Sequence, residues 1–185
     1  MKDILIIDTE TGGLNPDKHT LLTVSVKPLY LDISPIKFKL RPQAGKTCED
    51  EALRINGLDL NELIFEGLDL EKFNLFFFAL LEKWAKELKI KRFRLLGHNV
   101  KFDIGFLEKV LDFNLSSENI NYHYLDTCVI AGFLRDAKKI KVSSLRLATL
   151  HKELIGGDLS KSAHDSDVDV LMTELIFKYF LRLIK

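Results

Sequence analysis

Three stretches of this 185-residue chain place acids where a core element is expected to begin or end, and acids so placed can ligate metal or move protons. Asp8 and Glu10 follow an apolar run, Ile4 to Ile7. Alternate residues of an extended chain project from one side, so the two carboxylates lie together. Like charges repel, and a divalent cation is the simplest stabiliser. The plain alternative is a pair of acids capping the turn at Gly12-Gly13. In Leu96-Gly97-His98-Asn99-Val100-Lys101-Phe102-Asp103 a strand gives way to a helix with Asp103 in its first turn. There Asp103 could be only a helix-start acid, and Asn99 only an N-cap. His164-Asp165-Ser166-Asp167-Val168-Asp169 sets His164 at a helix start and Asp169 just inside it, after the glycine- and serine-bearing loop of Gly156 to Ser162. An acid-capped helix with a solvated histidine is the alternative. Together, Asp8, Glu10, Asp103, Asp169 and His164 suffice for two hard cations and a base.

These residues need a scaffold, and the apolar pattern supplies one. The continuous run before Asp8 predicts a strand over Asp3 to Asp8 buried on both faces. Leu21 to Leu31 and the alternating Ile36 to Arg41 predict two more strands in a hairpin meander. Pro42 to Gly67 reads as a loop with one or two helical turns near Glu51 to Ile55. Phe73, Phe76, Phe77, Leu80, Leu81, Trp84 and Leu88 predict a buried helix stripe over Leu70 to Leu88, with Phe78 off it, in peripheral packing or against a partner. Beyond it, a strand is expected at Arg94–Gly97, a helix at Val100–Leu111, a strand at Tyr122–Leu125, and helices at Thr127–Leu134 and Ser144–His151. A last helix, Asp165 to Ile184, carries Val168, Leu171, Leu175, Ile176 and Tyr179 at helical spacing. This order predicts an α/β fold, a mixed central β-sheet flanked by α-helices. No linker or repeat divides residues 1–185, so one domain is expected.

Composition narrows the function classes. Hydrophobic residues make up 46% and charged residues 29%, as in a globular chain with a real core. The longest apolar run, Leu75 to Leu81, falls short of the roughly 20 residues a membrane span needs. The start reaches Asp8 after four apolar residues, too few for a secretory segment. Cys48 and Cys128 are the only cysteines, without disulfide or zinc spacing, so a cytoplasmic location is expected. With 27 basic and 27 acidic residues the chain is no polybasic binder, though a local basic groove is open to it.

The order and spacing of the three acidic stretches resemble the DEDD superfamily of 3′→5′ exonucleases in its histidine branch (DEDDh, DnaQ-like). Asp8-Thr9-Glu10-Thr11-Gly12-Gly13-Leu14 is similar to the first motif and His98-Asn99-Val100-Lys101-Phe102-Asp103 to the second. His164, five residues before Asp169, matches the third. Leu125-Asp126-Thr127 is similar to a strand end found between the second and third motifs. The resemblance implies a ribonuclease H-like fold, Asp8, Glu10, Asp103 and Asp169 as ligands of two divalent cations, Mg²⁺ or Mn²⁺, and His164 as general base. It also implies that Thr11, Leu14, His98 and Asn99 line a pocket for the terminal nucleotide, with Leu14 wedged against its base. Ser166 stands where the family usually has alanine. Within the family the chain most resembles the proofreading exonuclease subunit of bacterial replicative polymerases and its stand-alone relatives; a polymerase partner is therefore open to it, without the long C-terminal extension by which that subunit joins its polymerase.

The chemistry agrees with these residue types. Phosphodiester hydrolysis needs a nucleophilic hydroxide, in-line attack and neutralisation of the leaving oxygen, which two cations about 4 Å apart can supply. Hard cations prefer oxygen ligands. The expected substrate is a single-stranded 3′ end, DNA favoured, with RNA trimming as the alternative. Lys101, Lys138, Lys139, Lys141 and Lys161 are candidates for phosphates further along the strand. A haloacid dehalogenase-like phosphotransferase would need Asp-x-Asp in place of Asp8-Thr9-Glu10. A non-catalytic nucleic-acid-binding module would be expected to have lost ligands, and none of the five positions is lost.

Overall fold

The computed structural model describes residues 1–157 and 165–184. A five-stranded mixed sheet runs in the order β3-β2-β1-β4-β5, built from β1 (Ile4–Thr11), β2 (Leu21–Pro28), β3 (Ile36–Lys39), β4 (Phe93–Gly97) and β5 (Ile120–Asp126). The meander β1-β2-β3 is antiparallel, while β4 lies parallel to β1 and β5 parallel to β4. The helices are α1 (Asp50–Asn56), α2 (Leu60–Glu66), α3 (Leu70–Leu88), α4 (Lys101–Leu107), α5 (Phe113–Asn119), α6 (Thr127–Asp136), α7 (Leu147–Leu154) and α8 (Ser166–Leu183). This is the expected α/β architecture, and no described helix is long and apolar enough to cross a membrane.

Strand alternation divides the core between the two faces of the sheet. Leu5, Ile7, Val24, Val26 and Leu95 point to one face, where they pack with Phe73, Phe77 and Leu81 of α3 and Phe106 and Leu107 of α4. Ile4, Ile6 and Leu96 point to the other, against Val170 and Phe177 of α8. A third cluster joins α6, α7 and α8 through Ala131, Leu134, Leu150, Ile176 and Phe180.

Several expectations need correction. β1 runs on to Thr11, with its register against β2 slipping only at Glu10/Thr11, so Asp8 and Glu10 are strand residues, not the residues that end it. The expected loop of 42–67 contains α1 and α2, and α4 ends at Leu107, four residues early. Phe78 is core, 2% exposed, whereas Phe76 is 49% exposed. Asn74, one turn before Phe78, donates to the Val110 carbonyl and accepts from the Asp112 amide. That turn therefore covers the side of α3 that periodicity alone leaves bare. On α8, Leu171 and Leu175 are exposed, and Asp169, Val170, Thr173, Glu174 and Phe177 face inward.

Candidate active site

The C-terminal ends of the parallel strands β1 and β4 open into a cleft of about 440 Å³. At the end of β1, Gly12 and Gly13 turn the chain. Gly13 has φ 156°, and a Cβ there would lie 2.3 Å from the His19 ring. At Gly12 it would lie 2.8 Å from the Cys48 sulfur. The turn leaves Leu14 81% exposed beside the cleft, while Thr11 is buried and donates its hydroxyl to the Gly13 carbonyl at 2.8 Å.

Asp8 and Glu10 sit opposite Ser25 and Thr23 of β2. Asp103 reaches the cleft from α4, where it is 4% exposed and accepts the Thr9 hydroxyl at 2.7 Å. Asp169 joins from the first turn of α8, and one carboxylate oxygen each from Asp8, Glu10 and Asp169 lie within 4.8 Å of one another. Burial drives the Asp8 carboxyl well above its ordinary range, and repulsion from Asp103, Asp169 and Glu10 adds to it. Burial, then Asp169 and Asp103, pushes Glu10 up to about 8, against a smaller pull from Lys37. Asp103 rises to about 7 by burial, opposed by the Thr9 hydroxyl. A set of crowded carboxylates that holds protons for want of countercharge fits a hard divalent cation, because every donor is an anionic oxygen.

The loop between β4 and α4 is held by Asp126, the last residue of β5. Its carboxylate accepts the amides of Asn99 at 3.0 Å and Val100 at 3.1 Å, and caps α6 through the Cys128 amide at 2.8 Å. Asn99 takes φ 63°, a left-handed conformation that asparagine tolerates. Thr127 donates to the Gly97 carbonyl at 3.1 Å, and its hydroxyl oxygen lies at hydrogen-bond distance, 2.9 Å, from His98 Nδ1. Burial lowers the His98 pKa. This is the structural work of the Leu125-Asp126-Thr127 motif.

Hydroxyl and ionic contacts seat α8. Ser25 donates to Asp167 at 2.6 Å, so Ser166 donates to Ser25 at 2.7 Å and Thr23 to Ser166 at 3.2 Å. Lys37 binds Asp165 at 2.6 Å and Asp167 at 3.3 Å. Ser166 is fully buried, so the usual alanine is replaced here by a hydroxyl that links the helix to β2.

The structure thus gathers Asp8, Glu10, Asp103, Asp169, Thr11, Leu14, His98 and Asn99 around one cleft. His164 and most of the loop before it, residues 158–164, lie outside the described residues. Of the lysine candidates, Lys101 is exposed at the start of α4, Lys138, Lys139 and Lys141 line a separate groove, and Lys161 lies outside the described residues. The sequence reading missed the opposite wall, made by Ala52, Ile55 and Asn56 of α1, with Phe102 from α4. Asn56 ties that wall to β1 by donating to the Thr11 carbonyl at 3.3 Å, and the amphipathic piece Glu51 to Ile55 was its one local signal.

A mixed sheet with this strand order and an acidic cleft at the ends of its central strands defines a ribonuclease H-like fold. No family model matches the chain. It is 25% identical over 182 residues to ribonuclease T of Shewanella frigidimarina (strain NCIMB 400), covering 94% of this chain and 79% of that protein. To ribonuclease T of Shewanella sp. (strain ANA-3) it is 29% identical over 138 residues, covering 69% and 62%. Among solved structures, exonuclease I without ligand superposes with a TM-score of 0.76 at 20% identity over 97% of this chain. E. coli exonuclease I in complex with a dT13 oligonucleotide does so with a TM-score of 0.72 at 22% identity over 96%. The chain spans only 40–43% of those larger proteins. Its sequence is thus similar to proteins named ribonuclease T and its fold to that of exonuclease I, which fits the DEDDh, DnaQ-like resemblance of its motifs.

Proposed function

We propose that residues 1–185 form one exonuclease domain that hydrolyses single-stranded nucleic acid stepwise from the 3′ end to 5′-mononucleotides. What supports this reading above all is the convergence of Asp8, Glu10, Asp103 and Asp169, from separate parts of the chain, on one cleft. In it these carboxylates would hold two divalent cations, Mg²⁺ or Mn²⁺, which would supply charge neutralisation at the phosphodiester and activation of water. His164 would accept the water proton, as a neutral imidazole can near neutral pH. Thr11, His98 and Asn99 shape the pocket for the terminal nucleotide, and Leu14 with Ile55 offers apolar surface that makes no hydrogen bond to a base. Such contacts are sequence-tolerant.

DNA and RNA ends both suit this chemistry. Relatives named ribonuclease T favour RNA trimming as a second activity, and the exonuclease I complexes with oligonucleotides favour single-stranded DNA. The test is incubation of 5′-labelled DNA and RNA oligonucleotides with Mg²⁺, Mn²⁺ or chelator. A ladder shortening from the 3′ end with release of 5′-mononucleotides is expected. Cuts in a circular single strand, or full activity in chelator, would overturn the reading.

A further inference from the structure

The turn that carries Leu14 beside the cleft leans on one imidazole. The Asn15 amide donates to His19 Nδ1 at 3.0 Å, and the His19 amide donates to the Asn15 carbonyl at 2.8 Å. A backbone N–H can only donate, so Nδ1 is the bare ring nitrogen and the proton sits on Nε2. That nitrogen lies 3.1 Å from Glu49 Oε1 and donates to the carboxylate. The ring is closely held: the side chain is 10% exposed, and Gly13 passes so near that a Cβ there would run into it.

Glu49 is the residue before α1, and its carbonyl begins that helix by accepting the Leu53 amide at 3.1 Å. Its side chain makes no cap bond to α1 and meets His19 instead. One imidazole therefore bonds both to the Leu14 turn and to the start of the helix that carries Ile55. Leu14 is 81% and Ile55 48% exposed, and both line the cleft. Other side chains grip the same loop further along. Lys46 donates to the Pro16 and Asp17 carbonyls at 2.9 and 2.7 Å, and Lys109 pairs with Asp17 at 2.6 Å. The His19 bond is the one made at the residue next to Leu14.

We infer that His19 is a positioning residue for the terminal base: through its two ring nitrogens it fixes Leu14 relative to Ile55, and so sets the apolar slot the base enters. The inference rests on the exonuclease reading of the cleft. A leucine on a loose turn would lose conformational freedom at every binding event, whereas one on a turn already fixed turns its apolar surface into affinity. The plain alternative is a histidine that stabilises a turn and nothing more.

The two differ in what they do to recognition of a base. Fluorescence anisotropy in Mn²⁺ compares two 5′-labelled dT pentamers whose last linkage is a non-hydrolysable methylenephosphonate, one complete and one lacking only its 3′-terminal base. Wild type is expected to bind the complete strand about tenfold more tightly, the effect of one base against an apolar wall. In His19→Ala this preference should shrink to about twofold or less. The change also leaves the Glu49 carboxylate without its donor, which acts on both strands alike, so the ratio of affinities is the readout. His19→Gln keeps an acceptor and a donor and should retain more of the preference than His19→Ala. Glu49→Ala frees only the α1 end, at a side chain 56% exposed, and its preference should fall between wild type and His19→Ala. Both segments stay tied in either variant by backbone bonds, from the Thr20 amide to the Thr47 carbonyl at 3.1 Å and from the Thr47 amide to the Lys18 carbonyl at 2.9 Å. No base preference in wild type, equal losses on the two strands in His19→Ala, a His19→Gln no better than His19→Ala, or a full preference in Glu49→Ala overturns the inference. With hydrolysable strands, a wild type that shows the preference yet cuts neither sinks the catalytic reading alone. One that cuts, while His19→Ala keeps the full preference, sinks the role of His19 alone.

Discussion

The two faces of the sheet are covered differently where α8 crosses β2. Under α3 and α4 the strands present Leu5, Ile7, Val24, Val26 and Phe93, and the helices answer with phenylalanine and leucine. Under α8, the same strand β2 presents Thr23, Ser25 and Lys27, which are only 1%, 0% and 4% exposed. There the partners are Ser166, Asp167 and Glu174, the last bonded to Lys27 at 2.5 Å and to Lys178 at 2.7 Å. The apolar face supplies stability that is indifferent to pH and metal. The polar face holds α8 in one register, since a hydroxyl chain and a buried ion pair are satisfied in a single arrangement, and that register brings Asp169 to Asp8 and Glu10.

Neutralising the site itself should have the largest effect. Asp8→Asn and Asp103→Asn are expected to reduce oligonucleotide hydrolysis by orders of magnitude. For Asp8→Asn the melting temperature in chelator should not fall, because the change removes repulsion from a buried carboxylate. A sharp drop would make Asp8 a structural residue. On the apolar face, Phe77→Ala is expected to cost about 3 to 5 kcal/mol in urea denaturation, equally with and without metal.

The polar face should respond asymmetrically. Glu174→Gln leaves Lys27 buried without its anion and should cost about 3 to 5 kcal/mol, whereas Lys27→Met leaves Glu174 its contact with Lys178 and should cost clearly less. Equal losses in urea denaturation would show that Lys178 does not compensate. Ser25→Ala breaks contacts to Ser166 and Asp167 at about 1 kcal/mol each. Because Asp169 follows one turn later, Ser25→Ala should also weaken Mn²⁺ binding in calorimetry. Phe77→Ala should leave that affinity unchanged, and equal effects would erase the distinction between the faces.

The same contrast explains what could be read in the sequence. The apolar run of β1, most of the α3 stripe and the acids of the three motifs carry local signals, and they stand close to where periodicity and spacing put them. The polar stripe of β2 does not. Thr23, Ser25 and Lys27 alternate with Val24 and Val26 as in a strand with one face in water, and the residues that cover them lie 141 and more positions away. Phe78 and the α1 wall escaped for a related reason. Each is placed by a neighbouring segment, the turn at Val110–Asp112 or the Asn56 contact to Thr11, that leaves no mark on local periodicity.

The central claim is that the cleft crowds carboxylates at the expense of stability, so that a cation relieves them. Glu10 at about 8 and Asp103 at about 7 stand above their ordinary 4.5 and 3.8, so the folded protein without metal keeps protons that the unfolded chain has released. That stabilisation is complete below the ordinary values and is lost as pH rises through about 7 to 8. Melting temperature measured in chelator and in Mn²⁺ between about pH 6 and pH 8 tests it directly. In chelator the melting temperature should fall across this range, and Mn²⁺ should restore it at the upper end, by about 2.7 kcal/mol at a hundredfold excess over its Kd. A melting temperature level with pH in chelator and unmoved by Mn²⁺ would contradict the account.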